Sequence, residues 1–148
     1  EEIYDAIMDN APKGTIELFH GYTYSGIPVS VAAALAVQEI FEKEDIFNRS
    51  KEMAPYFQEA IFSLKDIDVV ENIRGYGMMA GIDMKMDKKP GVAGFTCFKH
   101  CYDAGVNFKA TGDCLIIAPM FISEKKHIDE IIEKLRTGIN NYAKSKKN

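Results

Sequence analysis

The 148-residue chain has no tryptophan and only three cysteines, Cys97, Cys101 and Cys114. Three thiols cannot all pair, so a disulfide framework is excluded and reduced cysteines in a cytoplasmic setting are expected. No apolar run approaches the roughly 18 residues that a membrane-spanning helix needs. The Ala-rich stretch near residue 30 comes closest, and Ser30, Gln38 and Glu39 interrupt it. Positive charge is in short supply as well. Eighteen basic against 22 acidic residues leave a net charge of −4, which argues against a nucleic-acid platform or an anionic membrane surface. There is no low-complexity linker, internal repeat or charged-then-apolar leader. With 47% apolar and 27% charged residues, the composition is that of a globular protein with one real core.

Read in order, the residues alternate between helical and extended patterns. Ile3, Tyr4, Ile7 and Met8 are spaced as one buried stripe of a helix over 1–8. Asn10–Gly14 breaks it, and Thr15–Phe19 has the β-branched and aromatic bias of an extended segment. From Val29 to Phe41 nearly every position is apolar, which predicts a helix buried on more than one side. A second helix is expected over about 46–65, kinked at Pro55. Residues 69–84 change period: Ala80, Ile82 and Met84 alternate with Met79, Gly81 and Asp83 as in a strand, and Gly75 and Gly77 mark a turn or bulge before it. A helix over 93–104 with Gly105 at its C-cap follows. Then come strands over 106–110 and 114–121, joined tightly at Thr111-Gly112-Asp113. Ser123 is the expected N-cap of a last helix, whose stripe runs Ile128, Ile131, Ile132, Leu135, Ile139, Tyr142. The pattern is α+β: a small antiparallel sheet covered by helices. The organisational seam falls near Phe41–Asp45, giving segments 1–41 and 42–148.

The stretch most suggestive of chemistry is His20-Gly21-Tyr22-Thr23-Tyr24-Ser25-Gly26-Ile27-Pro28. Two glycines permit tight turning or close approach to a ligand, and Pro28 suits the first turn of a helix. A polar loop feeding a helix N-terminus is a plausible anion site. Cys97, His100 and Cys101 share one side of a helix, but no C-x-x-C pair accompanies them. They read as buried thiols, and no metal is expected. Arg74 reads as an anchor of the Gly75/Gly77 turn, bonding to carbonyls, and Asp113 as a turn residue rather than a general base.

Four ordered segments share a resemblance. F-H-G-Y-T-Y-S-G-I-P-V (19–29), R-G-Y-G-M-M-A-G-I (74–82), G-D-C-L-I-I-A-P (112–119) and Ile128-Asp129-Glu130 resemble class III, or omega, aminotransferases of fold type I, nearest the omega-amino acid–pyruvate type. These enzymes use pyridoxal 5'-phosphate. The resemblance implies that Thr23, preceded by the backbone of Tyr22, binds the cofactor phosphate in the neighbouring subunit's active site, so that the working form is a homodimer. It implies that Lys109 stands where omega-type enzymes carry an arginine for the substrate carboxylate; a lysine supplies charge without the planar fork. Ile27 replaces the family's usual histidine.

The same resemblance implies that residues 1–41 are the tail of a large cofactor domain and 42–148 a small C-terminal domain. Transamination needs a Schiff-base lysine, which in the family lies a few tens of residues before the H-G-x-T-Y-S-G motif. Only Lys13 precedes His20 here, too close and with the wrong neighbours. The expectation is therefore a C-terminal fragment, inactive alone, of an enzyme moving amino groups between an ω-amino acid or amine and a keto acid such as pyruvate. A stand-alone domain that only dimerises or binds is the rival reading. In either case the apolar 29–41 face is expected to pack on a second copy or fold back on its own domain.

Overall fold

A computed structural model describes residues 1–14, 21 and 23–146. The elements are α1 (Glu2–Asn10), α2 (Pro28–Lys43), α3 (Ile46–Phe62) with a 3-10 turn (Ser63–Asp66), β1 (Val70–Tyr76), β2 (Met79–Met84), α4 (Val92–Asp103), β3 (Lys109–Thr111), β4 (Cys114–Ile117) and α5 (Lys125–Ser145). The chain divides into two compact units, Glu1–Glu39 and Ile40–Asn148. The expected extended segment 15–19 lies outside the described residues.

In the second unit the strands form one antiparallel sheet in the order β1-β2-β4-β3. Alternation in β2 puts Ala80, Ile82 and Met84 on a buried face, with Met79, Gly81 and Asp83 opposite. Helices α3, α4 and α5 cover the buried face. Phe57, Ile61, Leu64, Ile82, Cys97, Cys101, Leu115, Leu135 and Ile139 are all fully buried there. This is the α+β arrangement that the sequence pattern predicts. Where α4 meets α5, a Cβ on Gly138 would stand 2.5 Å from the Cys101 Cα. Only glycine lets the two backbones come so close.

The structure differs from the sequence reading in several places. Residues 70–84 form two strands rather than one. Met79 pairs with Tyr76, and Gly77, at φ +57°, turns the chain back. The first of the two strands escaped the sequence reading because its burial does not alternate: a register shift between Val70 and Asn72 sets Val70 and Ile73 inward. Pro55 lies within helix α3, whose stripe continues across it as the sequence pattern predicts, and its exposed position puts the lost ladder bond on the solvent side. The strands β3 and β4 are shorter than expected, because Ala118-Pro119 leaves the ladder. The cap of α5 is Glu124, not Ser123: the Glu124 side chain accepts from the His127 N–H, and His127 Nδ1 accepts from the Glu124 N–H at 3.0 Å. A histidine completes the capping box where Glu or Gln is usual. Gly105, at φ +91°, closes α4 with the Val106 N–H donating to the Cys101 carbonyl at 3.1 Å.

The largest departure concerns the first unit. No residue of α1 or α2 is buried. The expected stripe of α1 leaves Ile3 80% exposed, and in α2 Val29 is 79% and Leu35 58% exposed. Apolar periodicity reports that a face wants cover; it does not say that the cover lies in the same chain.

Candidate functional site

In the first unit, residues 23–26 form a turn and Gly26 adopts φ +73°. The Ile27 carbonyl then accepts from the Val31 N–H at 3.0 Å, opening α2 at Pro28. Thr23 is exposed, so its hydroxyl stands in a polar turn that leads into the positive end of a 16-residue helix. Isoleucine at position 27 supplies no side-chain cap for the first N–H groups of that helix. A hydroxyl near such a terminus suits a phosphate oxygen. Tyr22 and His20 lie outside the described residues. Lys13 is exposed.

In the second unit the sheet face away from the helices carries the polar residues. Register puts Arg74 beside Gly81, Gly81 beside Ile116, and Ile116 beside Lys109. Lys109 is therefore exposed on edge strand β3, at the end of a row crossing the whole sheet. The next row pairs Asp83 with Cys114. Arg74 reaches diagonally across the gap that Gly81 leaves. Its Nη1 pairs with Asp83 Oδ2 and its Nη2 donates to Cys114 Sγ at 3.4 Å. A Cβ at position 81 would lie 3.1 Å from that sulfur. Burial and the Asp83 carboxylate push the Cys114 thiol up, against a smaller opposing pull from Arg74, so it is not an activated nucleophile. The expected carbonyl partners of Arg74 are replaced by this cross-strand pair. The carbonyls of Gly77 and Met79 are instead met by Gln58 Nε2, at 2.8 and 3.2 Å. Gly75 admits the Gln58 side chain, since a Cβ there would stand 2.2 Å from Oε1. Arg74, Gly75 and Gly77 of the R-G-Y-G segment thus each have a structural reason, whereas Tyr76 is 92% exposed.

Asp113 does sit in the two-residue turn between β3 and β4, but it does more. Its carboxylate accepts from the Gly91 N–H at 2.9 Å and the Gly94 N–H at 3.0 Å, capping α4 across 19 residues or more of sequence. Partial burial pushes its pKa up, but the backbone donors of Gly91, Gly94 and Ala93 outweigh this and hold it below the usual carboxylate range. Nothing in the local sequence marks that role. The one signal is Gly94, where a Cβ would stand 2.2 Å from the Gly112 carbonyl oxygen. Cys97 and Cys101 are fully buried on α4. Among the described residues no group of three or more metal-binding side chains comes together.

Residues 2–139 match the profile of Aminotransferase class-III. The chain belongs to the class III aminotransferase family. An omega-aminotransferase of Caulobacter vibrioides is 41% identical over 138 residues, which cover 91% of this chain and 31% of that protein. A putrescine–pyruvate aminotransferase of Pseudomonas aeruginosa is 37% identical over 142 residues, covering 90% and 31%. Among solved structures, a transaminase with L-alanine superposes with a TM-score of 0.77 at 27% identity, covering 84% of this chain and 30% of that one. This class III aminotransferase chain thus spans about a third of the length of the relatives it matches. Thr23 and Lys109 fall in different units.

Proposed function

We propose that this chain is the C-terminal third of a pyridoxal-phosphate-dependent transaminase. The full enzyme moves an amino group between an ω-amino acid or amine and a keto acid such as pyruvate. The match over residues 2–139, with relatives named for omega-amino and pyruvate transamination, carries this reading. In it, residues 1–41 end the large domain and 42–148 form the small one.

Class III aminotransferases use pyridoxal phosphate, and the residues of this chain fit one end of it. The Thr23 hydroxyl, in the turn that leads into a helix start, would hold the phosphate together with the backbone of Tyr22, in the active site of a homodimer partner. Lys109, exposed on its edge strand, would offer charge to a substrate carboxylate. When bound, the cofactor supplies the electron sink for moving the amino group. The lysine and the acidic group that its aldehyde and ring need are not among the matching residues here, so the chain alone is inactive in this reading.

The test is to mix the purified chain with pyridoxal phosphate, reduce with borohydride and map labelled lysines. Scattered, substoichiometric labelling is the expected outcome. One stoichiometrically labelled lysine would overturn the claim of inactivity. Sequencing upstream of Glu1 separates the parent enzyme from a stand-alone domain: an in-frame lysine-bearing cofactor domain is expected, and a start codon just before Glu1 would favour the domain that only dimerises or binds.

A further inference from the structure

Helix α4 buries one side, with Ala93, Gly94, Cys97 and Cys101 turned inward. Its other side is uncovered and is not polar. Val92, Phe95, Lys99 and Tyr102 follow one another at i, i+3, i+7 and i+10, a single stripe about 15 Å long. Phe95 is 62% and Tyr102 61% exposed. Phe98 braces the stripe: its ring meets that of Tyr102 at 6.2 Å and, edge-on, that of Phe108 at 5.4 Å. Charge at this face is one-sided. The chain enters α4 through Lys88 and Lys89, and Lys99 lies within the stripe. Among the described residues none of these three lysines is in an ion pair. Their neighbours in sequence are spoken for, Lys85 by Asp68 at 3.2 Å and Asp87 by Lys146 at 3.8 Å. Asp103, in the last turn, is the one acidic residue of α4.

We propose that the outer face of α4 docks an acidic amphipathic helix of a partner protein. The partner's apolar ridge lies along Val92, Phe95 and Tyr102, and its carboxylates meet Lys88, Lys89 and Lys99. A stripe in the middle of a helix offers no free backbone donors, so it suits packing against a second helix rather than addition of a strand. Exposed aromatic side chains suit the centre of such an interface. An extended polyanion fits less well. The chain as a whole carries a net charge of −4, and a nucleic acid or anionic bilayer would meet that repulsion along its surface. A short helix meets only the local charge, within a screening length of about 8 Å. The face belongs wholly to the second unit and shares no residue with the cofactor or substrate groups.

The experiment follows the amide NMR resonances of the full chain while a lactam-stapled peptide helix, with leucines on one stripe and glutamates elsewhere, is added. Shifts are expected across 88–102, with a Kd on the order of 100 μM, the strength of a small transient interface. The same peptide with lysines in place of its glutamates is expected to bind at least about tenfold more weakly. Lys88→Gln, Lys89→Gln and Lys99→Gln combined cost the glutamate peptide about tenfold as well and flatten its salt dependence. Phe95→Ala with Tyr102→Ala removes binding, whereas Phe95→Leu keeps it. Melting temperatures stay unchanged in all of these variants, because both rings are more than half exposed and the lysines are unpaired. Equal binding of the two peptides, shifts confined to other regions, unchanged affinity in the lysine variant, or phosphatidylserine vesicles that perturb 88–102 where the peptide does not, would each overturn the assignment.

Discussion

The two units of this chain solve opposite problems with similar residues. The second unit buries Phe57, Ile61, Leu64, Leu115 and Leu135 completely, and its sheet has one covered and one polar face. The first unit carries Val29, Val31, Leu35 and Val37 on a helix with no buried residue. Fully covering each such side chain is worth about 1.5–3 kcal/mol. The second unit collects that gain within its own sequence, and α2 in this chain does not. Apolar content therefore says little about self-sufficiency; what matters is whether the complementary face lies in the same polypeptide.

Substitutions can break or sharpen that contrast. Phe57→Ala removes a fully buried ring and is expected to cost about 3–5 kcal/mol, seen as a large loss of denaturation midpoint in urea. Gly138→Ala forces a methyl into the Cys101 backbone; a cost of about 1–3 kcal/mol is expected, despite the better helix propensity of alanine. Asp113→Ala removes the cap of α4, worth about 1–2 kcal/mol at neutral pH. Because the folded pKa of Asp113 is depressed, that advantage is present above its unfolded value of about 3.9 and fades as pH falls through the lower folded value. Wild type and Asp113→Ala should therefore converge in acid melts, and a gap unchanged down to about pH 2 would show that the carboxylate's charge is immaterial. Leu35→Ser, on α2, should fall within about 0.5 kcal/mol of the parent. A loss above about 1 kcal/mol that grows with protein concentration would mean that α2 is covered in solution, by a second copy.

Much of the second unit was legible in its sequence. The stripe of α5, the Gly105 stop and the tight turn at Gly112-Asp113 come from periodicity and turn chemistry, which act over a few residues. What escaped was non-local. The reach of Arg74 to Asp83 and Cys114 depends on strand register, and the Asp113 cap on α4 depends on a crossing 19 residues or more away in sequence. The burial expected for α2 failed for a different reason: an apolar helix pattern says that a face suits cover, not where that cover lies. For Thr23 the structure gives an exposed turn before a helix, while its partner Tyr22 lies outside the described residues.

The Asp113 cap has a mechanical consequence. Strand β3 is only three residues long and paired at every one of them, Lys109 to Ile116, Ala110 to Leu115 and Thr111 to Cys114. The turn that closes this hairpin is bolted to the start of α4, and the Asp113 carbonyl also accepts from the Met84 N–H at 2.8 Å. The hairpin is therefore held at both ends, at its turn by Asp113 and along β4 by pairing with β2 through Ile117, with Lys109 on its outer strand beside Ile116. Whatever Lys109 does, it must do by turning its own flexible side chain over a fixed pivot, because the strand beneath it has no register left to slide.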